Sequence, residues 1–340
     1  MKIVIDAMGG DFAPLAPVKG ALLARERYPG VELVLAGREE AILGALREAG
    51  RDAPPEGITI RGATEVVEIA DDPATAFKRK PDSSLTVGLR MVADGEADGF
   101  VSAGSTGALL AGATLVVKRI RGVRRAALAP TIPTAAGRAV LLDCGANAEC
   151  TAEYLLQFAY LGSRYASRVL GVEKPRVGLL NIGAEEEKGD ALRREAYQKL
   201  AEAGKNGELN FTGNVEAKEA LLGQCDVIVA DGFSGNVMLK TVEGAGKLMS
   251  GMLKDMLLKG VGTKLAALLL KGELKEFKRT LDPNEVGGTA LLGIAKPVVK
   301  AHGSSNDAAF CNAVHQAVEV ARSGIADDIA RGAGRMRAGD

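Results

Sequence analysis

The chain has 340 residues, 47% of them hydrophobic and 25% charged, so it can bury a sizeable core in one or two domains. Lys plus Arg and Asp plus Glu both number 43, and a net charge of zero argues against general nucleic-acid binding. Two histidines and four scattered cysteines without a CxxC pair argue against a histidine-rich metal centre, a zinc site and a disulfide framework. The sequence contains no uninterrupted stretch of ~18 apolar residues, so we expect no membrane-spanning helix. We expect a cytoplasmic protein.

Short apolar runs alternate with helical patterns along the first 230 residues, and Gly-, Asn- or Asp-rich turns follow many of the runs. The predicted strands are Lys2–Ile5, Val31–Ala36, Ile58–Arg61, Gly99–Ser102, Ala139–Asp143, Arg176–Leu180, Leu209–Thr212 and Asp226–Ala230. The predicted helices are Pro14–Arg27, Glu39–Ala49, Ser83–Ala93, Thr106–Val117, Ala152–Leu170, Asp190–Ala203 and Glu216–Leu222. This alternation predicts an α/β fold with a mainly parallel sheet sandwiched by helices.

The alternation has one interruption and one end. Ala126–Pro130 is predicted as a further strand, antiparallel to Ala139–Asp143. After Asn236 the pattern indicates two helices, Asn236–Leu258 and Leu265–Lys278, and then a Gly-containing stretch that leads to a last amphipathic helix near Asp307–Ser323. We expect one α/β domain over residues 1–340, with residues 248–280 as a projecting helical pair.

Several strand-end loops combine glycine with polar side chains. In open α/β sheets, ligands bind outside the carboxyl ends of the strands, and glycine lets backbone N–H groups approach an anion. In the loop after Gly99–Ser102, Gly104, Ser105, Thr106 and Gly107 either bind phosphate or form a plain helix cap.

Other loops offer candidate catalytic groups, each with a structural alternative. Lys188 follows three glutamates and either neutralises an anion or belongs to a solvated charged face. Asp231, Ser234 and Asn236 form a polar loop or an Asx-turn with a cap. His302 stands in a Gly/Ser loop and serves in acid–base chemistry or only in the loop structure.

The loops that contain Asn147 and Asn214 invite the same two interpretations. Each amide can donate a hydrogen bond to a reacting group, or it can close a turn of its own loop. No P-loop, GxGxxG or GxSxG motif is present, so a common nucleotide site and a serine acyl-enzyme have little support.

Residues 248–280 combine an apolar face with seven basic and only three acidic residues, a net charge of +4. Such a basic amphipathic pair suits an anionic membrane surface or an acidic partner, and equally a core or dimer interface with solvated lysines. The side chains predicted to contact a membrane are Met252, Met256, Leu257, Leu265, Leu268 and Leu269.

Taken in order, the loops resemble those of the PlsX-type phosphate acyltransferases of bacterial phospholipid synthesis. The resemblance runs from about Lys2 to Ser323. It depends on the motifs IDAMGGDFAP, VSAGSTGALLAG, LLDCGAN, VGLLNIGAEEEKG, FTGNVEA, ADGFSGNVMLKTVEG and KAHGSSN. The chain has Ser105 where the family usually has Asn, Ser234 where it often has Thr, and Ala148-Glu149 where it commonly has a Val-Asp-like pair.

The resemblance implies transfer of an acyl group from acyl-[acyl carrier protein] to inorganic phosphate. The resulting acyl phosphate feeds a membrane glycerol-3-phosphate acyltransferase. The resemblance also implies a fold similar to that of phosphotransacetylases and isocitrate/isopropylmalate dehydrogenases. It further implies a homodimer and peripheral association with the inner face of the membrane.

On this basis we expect direct attack of phosphate on the thioester, without a metal, a cofactor or a covalent intermediate. Lys188, Asn236, Asp231 and His302 are the expected catalytic residues, and the other loop residues named above bind substrate. Two alternatives stay open. One is a coenzyme-A-dependent phosphotransacetylase or nicotinamide dehydrogenase on a similar fold, and the other is a non-catalytic membrane scaffold of lipid synthesis.

Overall fold

The computed structural model describes residues 1–281, 285 and 287–332. Of the expected domain 1–340, residues 282–284, 286 and 333–340 lie outside the described part. Within the described residues, no helix is both long enough and apolar enough to cross a membrane.

Up to residue 230 the structure keeps the predicted order of strands and helices and adds two short elements, Ala76–Arg79 and Thr131–Thr134. Two strands and a helix beyond that point were not predicted: Gly288–Leu292, Val298–Ala301 and Ile325–Gly332. The strands are β1 (Lys2–Asp6), β2 (Glu32–Gly37), β3 (Ile58–Gly62), β4 (Gly99–Ser102), β5 (Ala127–Ala129), β6 (Thr131–Thr134), β7 (Gly137–Leu142), β8 (Arg176–Leu180), β9 (Asn210–Val215), β10 (Val227–Val229), β11 (Gly288–Leu292) and β12 (Val298–Ala301). The helices are α1 (Leu15–Arg27), α2 (Glu39–Glu48), α3 (Ala76–Arg79), α4 (Ser84–Ala93), α5 (Thr106–Gly112), α6 (Ala152–Arg168), α7 (Ala191–Lys205), α8 (Ala217–Leu221), α9 (Gly232–Leu258), α10 (Val261–Leu269), α11 (Lys271–Leu281), α12 (Asp307–Arg322) and α13 (Ile325–Gly332). A π-helical segment, Ala113–Lys118, continues α5.

The strands are divided between two sheets. The larger has the order β3-β2-β1-β4-β12-β11-β5, in which β11 runs antiparallel to both of its neighbours. The smaller has the order β6-β7-β10-β8-β9, in which only β6 is antiparallel to its neighbour. Most pairings are therefore parallel, and the expected α/β class is confirmed.

The antiparallel partner of β7 differs from the predicted one. The apolar run near Ala126–Pro130 does form a strand, but β5 pairs with β11 in the larger sheet. A separate short strand, β6, pairs with β7 through Thr131↔Val140 and Ile132↔Ala139. The chain thus passes from one sheet to the other at Pro130, because a proline has no N–H to continue a strand ladder.

The helical pair is also more divided than predicted. The long helix begins at Gly232 rather than Asn236, because the carboxylate of Asp231 caps it. The second predicted helix is two helices, α10 and α11, and the break falls at Leu270. The sequence predicts Gly260 and Gly262 in the bend between α9 and α10; Gly260 does lie there, with its N–H bonded to the hydroxyl of Thr263, whereas Gly262 lies within α10.

Buried apolar side chains join the two sheets in one cluster. Val4 and Phe100 of the larger sheet pack in the same cluster as Leu141 and Ile228 of the smaller sheet. Burial of a side chain such as Phe100 stabilises a fold by about 1.5–3 kcal/mol. This shared core holds the carboxyl ends of strands from both sheets in fixed positions.

Candidate functional site

A cavity of about 450 Å³ lies where the two sheets meet. Its lining comes from β5, β6 and their connection, from the loops that follow β4 and β7, from the end of β12 and the loop after it, from the start of β11, from the first turns of α9, and from Thr280 of α11. The apolar lining residues include Leu128, Pro130, Ile132, Pro133, Leu239 and Val242. The polar and charged lining residues include Thr106, Asn236, Lys240, Glu243, Lys300 and His302.

A buried carboxylate fixes the loop that contains Thr106. Asp6, at the end of β1, accepts a hydrogen bond of 2.6 Å from the hydroxyl of Ser102, which in turn accepts one of 3.0 Å from the N–H of Gly104. Burial raises the pKa of Asp6, and hydrogen bonds from the hydroxyls of Ser102 and Ser84 and from the N–H groups of Met8 and Gly9 partly oppose that effect. A Cβ on Gly9 would lie 2.8 Å from the nitrogen of Gly104, so glycine is required for the two loops to meet.

Ser105 acts as the N-cap of α5. Its hydroxyl oxygen accepts a hydrogen bond of 3.4 Å from the N–H of Ala108. In the folded chain, Ser105 therefore makes the contact of a plain helix cap, which is the structural alternative to phosphate binding given above. Gly107 packs against Pro73, since a Cβ at Gly107 would lie 2.8 Å from the Cβ of that proline.

Lys300 is a cation in the cavity wall to which the sequence analysis assigned no role. It lies at the end of β12, beside Ser102 of β4 in the parallel register. Its ammonium donates to the carbonyl oxygens of Ala103, at 3.3 Å, and Ala301. Burial lowers the pKa of Lys300 to about 8, although the nearby carboxylates of Asp6 and Asp11 oppose this shift.

His302 also lines the cavity, and contacts from its own loop determine which ring nitrogen carries the proton. The N–H of Ser304 donates to Nδ1 at 3.2 Å, and the Ser304 hydroxyl lies 2.8 Å from the same nitrogen. A neutral ring that accepts at Nδ1 carries its proton on Nε2. Burial lowers the pKa of His302, and the positive charge of Lys240 lowers it further, so the neutral ring is favoured.

Asn236 reaches the cavity because α9 begins against the loop after β7. A Cβ on Gly235 would lie 1.9 Å from the carbonyl oxygen of Asp143, and one on Gly232 would lie 2.4 Å from that of Asn147. Only glycine permits this approach. The backbone of Gly145, with φ of +100°, passes beside the Asn236 side chain.

Asp143 organises the loop that Gly235 touches. Its buried carboxylate accepts bonds from the N–H groups of Leu128 and Asn147 at 2.9 and 2.6 Å. The side-chain amide of Asn147 donates to Asp143 at 3.0 Å and to the carbonyl of Ala126 at 2.8 Å. Asn147 therefore ties β7 to the strand that leads into the cavity.

Arg193 connects the start of α7 to the start of α9. Its guanidinium donates to the buried carboxylate of Asp231 and, at 2.8 Å, to the hydroxyl of Ser234. Asp231 also caps α9 by accepting from the N–H of Ser234 at 2.9 Å. Both predicted residues thus hold the loop from which Asn236 projects.

Lys188 lies in the loop between β8 and α7, Asn214 lies in β9 of the smaller sheet, and neither is among the residues that line the cavity. Lys188 is exposed, and its carbonyl accepts a bond of 3.1 Å from the amide of Asn181. The Asn214 amide donates to the carbonyl of Glu185 at 2.7 Å, whereas its buried Oδ1 has no hydrogen-bond partner among the described residues. Asn214 thereby holds the loop that presents Lys188.

Three predicted residues line the cavity: Thr106, Asn236 and His302. Sequence reasoning missed Lys240, Lys300 and Arg193 as parts of the site. A signal existed for two of them, since Lys300 precedes His302 by two residues and Lys240 follows Asn236 by one helical turn. Arg193 gave no such signal, because its pairing with Asp231 spans 38 residues.

The acidic and thiol groups offer no metal centre in the described part of the chain. Among residues 1–281, 285 and 287–332, no group of three or more His, Cys, Asp or Glu side chains is arranged to hold a metal ion. Cys144 lines the cavity, and burial raises the pKa of its thiol well above the usual value.

Comparisons with known proteins agree on one family. A family model described as "Fatty acid synthesis protein" matches residues 1–328. A phosphate acyltransferase of Caldanaerobacter subterraneus subsp. tengcongensis is 46% identical over 317 residues, which cover 93% of this chain and 92% of that relative. A phosphate acyltransferase of Alkaliphilus oremlandii is 48% identical over 332 residues, which cover 98% and 97%.

A solved structure supports the fold. The chain is similar to a phosphotransacetylase from Streptococcus pyogenes, with a TM-score of 0.60 and 20% identity. The match covers 95% of this chain and 94% of that one. At this identity the likeness shows the fold alone.

Proposed function

We propose, since the chain belongs to the fatty acid synthesis protein family together with phosphate acyltransferases, that it uses acyl-[acyl carrier protein] as the donor for acyl transfer to inorganic phosphate. The acyl phosphate product then serves phospholipid synthesis. The observation that carries the proposal is a single cavity lined by apolar side chains and also by two lysines, a glutamate, a histidine and an amide. An acyl chain needs the apolar lining, and phosphate needs the cations and hydrogen-bond donors.

The reaction forms one bond and breaks one. An oxygen of hydrogen phosphate attacks the thioester carbon, the C–S bond breaks, and the carrier leaves as a thiol. The proton that phosphate loses equals the proton that the sulfur takes up, so no net acid or base is consumed. The enzyme therefore has to position two anionic reactants and stabilise the oxyanion of the tetrahedral intermediate.

The cavity residues and the residues that hold their loops divide these tasks. The Lys300 ammonium offsets the charge of phosphate, beside the loop of Gly104–Gly107, and Lys240, which is ion-paired with Glu243 at 2.9 Å, adds a second donor. The amide of Asn236 and the Nε2–H of His302 are donors for the oxyanion. Asp231, Ser234 and Asn147 position the loops, while Lys188, in the loop after β8, supplies a further cation and Asn214 supports that loop.

To test the site, we would measure acyl-phosphate formation from acyl-carrier protein and phosphate with Asn236→Ala and His302→Ala. Loss of an oxyanion donor costs about 100- to 1,000-fold in kcat, and we expect losses of that size. Asn206→Ala, an exposed position at the end of α7, is the matched control and should leave the rate unchanged. Near-normal kcat/KM in both folded cavity variants contradicts the placement of the site.

Lys188 and the role of His302 each need a separate variant. Lys188→Ala should lower kcat/KM if this lysine reaches the substrates, whereas Lys205→Ala, an exposed control, should not. His302→Gln keeps an N–H donor, so partial recovery relative to His302→Ala supports hydrogen-bond donation over proton transfer.

The two alternatives are tested by the choice of substrates. Acyl-coenzyme A assayed against acyl-carrier protein separates a phosphotransacetylase from the proposed enzyme, and titration with NAD tests a dehydrogenase. If no phosphate-dependent thioester cleavage occurs with any donor, the scaffold alternative is supported instead.

We further propose a homodimer that associates peripherally with the inner face of the membrane, next to a membrane glycerol-3-phosphate acyltransferase. Support comes from α9–α11, where Leu265, Leu268 and Leu269 are 60%, 66% and 79% exposed and Met252 and Met256 are 65% and 57% exposed. Leu257 is half-buried. Exposed apolar side chains in such numbers indicate a covering surface, either lipid or a second copy of the chain.

A further inference from the structure

A strongly basic loop lies outside the cavity. Between Lys118 and Arg125, five of eight residues are basic and none is acidic. All five basic side chains are exposed, and in the described part of the chain none of them forms an ion pair with a carboxylate. This concentration of unpaired charge is notable in a chain whose net charge is zero.

The loop is held rigidly from two sides. Against the β11–β12 turn, the N–H of Ile120 donates to the carbonyl of Gly293, and that of Ala295 donates to the carbonyl of Lys118, both at 2.9 Å. Against α6, the side chain of Gln157 bonds the N–H of Arg124 at 2.9 Å and the carbonyl of Gly122 at 3.1 Å.

Rigid attachment keeps the like charges close together. Arg125 stacks on the Tyr154 ring of α6, with its guanidinium carbon 5.5 Å from the ring centroid. The backbone bonds keep all five cations on one short segment, so their charges add to a local positive potential that an anionic surface can neutralise.

The loop is suited to carboxylates on a protein rather than to lipid. Four of its five cations are arginines, whose planar fork binds carboxylates in a bidentate manner. Its apolar side chains, Ile120 and Val123, are each only 5% exposed. A membrane-binding surface combines cations with exposed apolar groups, as in α9–α11, and this loop lacks the second element.

We infer that the loop of residues 118–125 is the docking surface for an acidic protein, the acyl-carrier protein that donates the thioester. This inference rests on the proposed function for the identity of the partner. The segment from Thr106, in the cavity wall, to Lys118 runs through α5 and its π-helical continuation and spans roughly 20 Å. A carrier protein presents its thioester on a flexible arm, so its body docks at a distance from the reacting atoms.

The test uses the double variant Arg121→Glu/Arg124→Glu in the full chain. Neither side chain makes a hydrogen bond in the described structure, so the fold should be retained. Kinetics with acyl-carrier protein would be paired with fluorescence anisotropy of a labelled holo-carrier protein. We expect the KM for acyl-carrier protein and the Kd of the holo-carrier protein to rise at least tenfold. The kcat and the KM for phosphate should stay within twofold, and the salt dependence of kcat/KM should weaken.

Arg51→Glu, an exposed arginine in the loop between α2 and β3, is the control and should change neither constant. An unchanged KM and Kd in the double variant overturns the docking surface, even if the wild-type enzyme forms acyl phosphate. Absence of that reaction in the wild type refutes the proposed function, while the anisotropy still tests the surface. Loss of flotation with anionic vesicles, with carrier binding intact, assigns the loop to lipid and overturns the inference.

Discussion

At the scale of single residues, Lys300 is a lysine whose charge changes within about one pH unit of neutrality. Its pKa of about 8 lies below the usual 10.5, because burial disfavours the ammonium form. The folded chain therefore binds fewer protons here than the unfolded chain between pH 8 and pH 10.5. Burial of the charged lysine costs stability below pH 8, and this cost is relieved as the pH rises through that window.

The same shift gives an expected pH dependence of activity. If the ammonium of Lys300 holds phosphate, kcat/KM should fall by up to tenfold per pH unit above about pH 8. Lys300→Arg keeps its charge well beyond that pH, so its alkaline limb should move upward by more than one unit. Lys300→Met should be slow at every pH. An alkaline limb that is identical in the wild type and Lys300→Arg contradicts this role.

The sequence indicated residues that lie beside the cavity where their loops have a distinctive composition, but it did not indicate their distant partners. Thr106 and Asn236 follow apolar runs that end in Gly-containing loops, and His302 stands in a Gly/Ser loop. Their roles stay predictions. Asp231 and Ser234 were found for their composition, but their contact with Arg193 depends on how α7 and α9 meet in space. No local spacing encodes that meeting.

At the scale of elements, the first turn of α9 is set by two close backbone approaches. We expect Gly235→Ala to destabilise the fold by about 1–3 kcal/mol or more, because the new Cβ would lie 1.9 Å from the carbonyl oxygen of Asp143. Gly244→Ala, in the same helix with nothing within 4 Å of its Cβ, should stabilise by up to about 1 kcal/mol. Urea unfolding measures both, and equal effects would show that helix propensity alone decides.

Strand existence was easier to predict than strand pairing. The predicted bounds of β1, β4 and β8 agree with the structure to within one residue, because each apolar run ends at a polar or glycine-rich turn. β6, β11 and β12 were missed as strands because each contains or adjoins a strand-breaking residue, namely Pro133, Gly293 and Pro297. An apolar run shows that a strand is buried, but not which sheet it joins.

At the scale of the whole molecule, α9–α11 present an exposed apolar surface suited to contact with lipid or with a second copy of the chain. We expect the double variant Leu265→Glu/Leu268→Glu to lose flotation with anionic vesicles, because it places two carboxylates on the apolar face of a basic hairpin. Leu222→Glu, a 64% exposed leucine outside the hairpin, is the control and should float as the wild type does. Dissociation of a dimer with flotation unchanged would assign the surface to a second copy instead.

In the whole molecule, helix α9 runs from the cavity to this exposed apolar surface. Helix α9 carries Asn236 near its start and spans 27 residues from Gly232 to Leu258, so its two ends are roughly 40 Å apart. On the proposed membrane association, an apolar, hydrolysis-prone product that forms beside the near end lies about one helix length from the lipid at the far end. The length of this helix then sets the scale of the distance that the acyl phosphate travels through water.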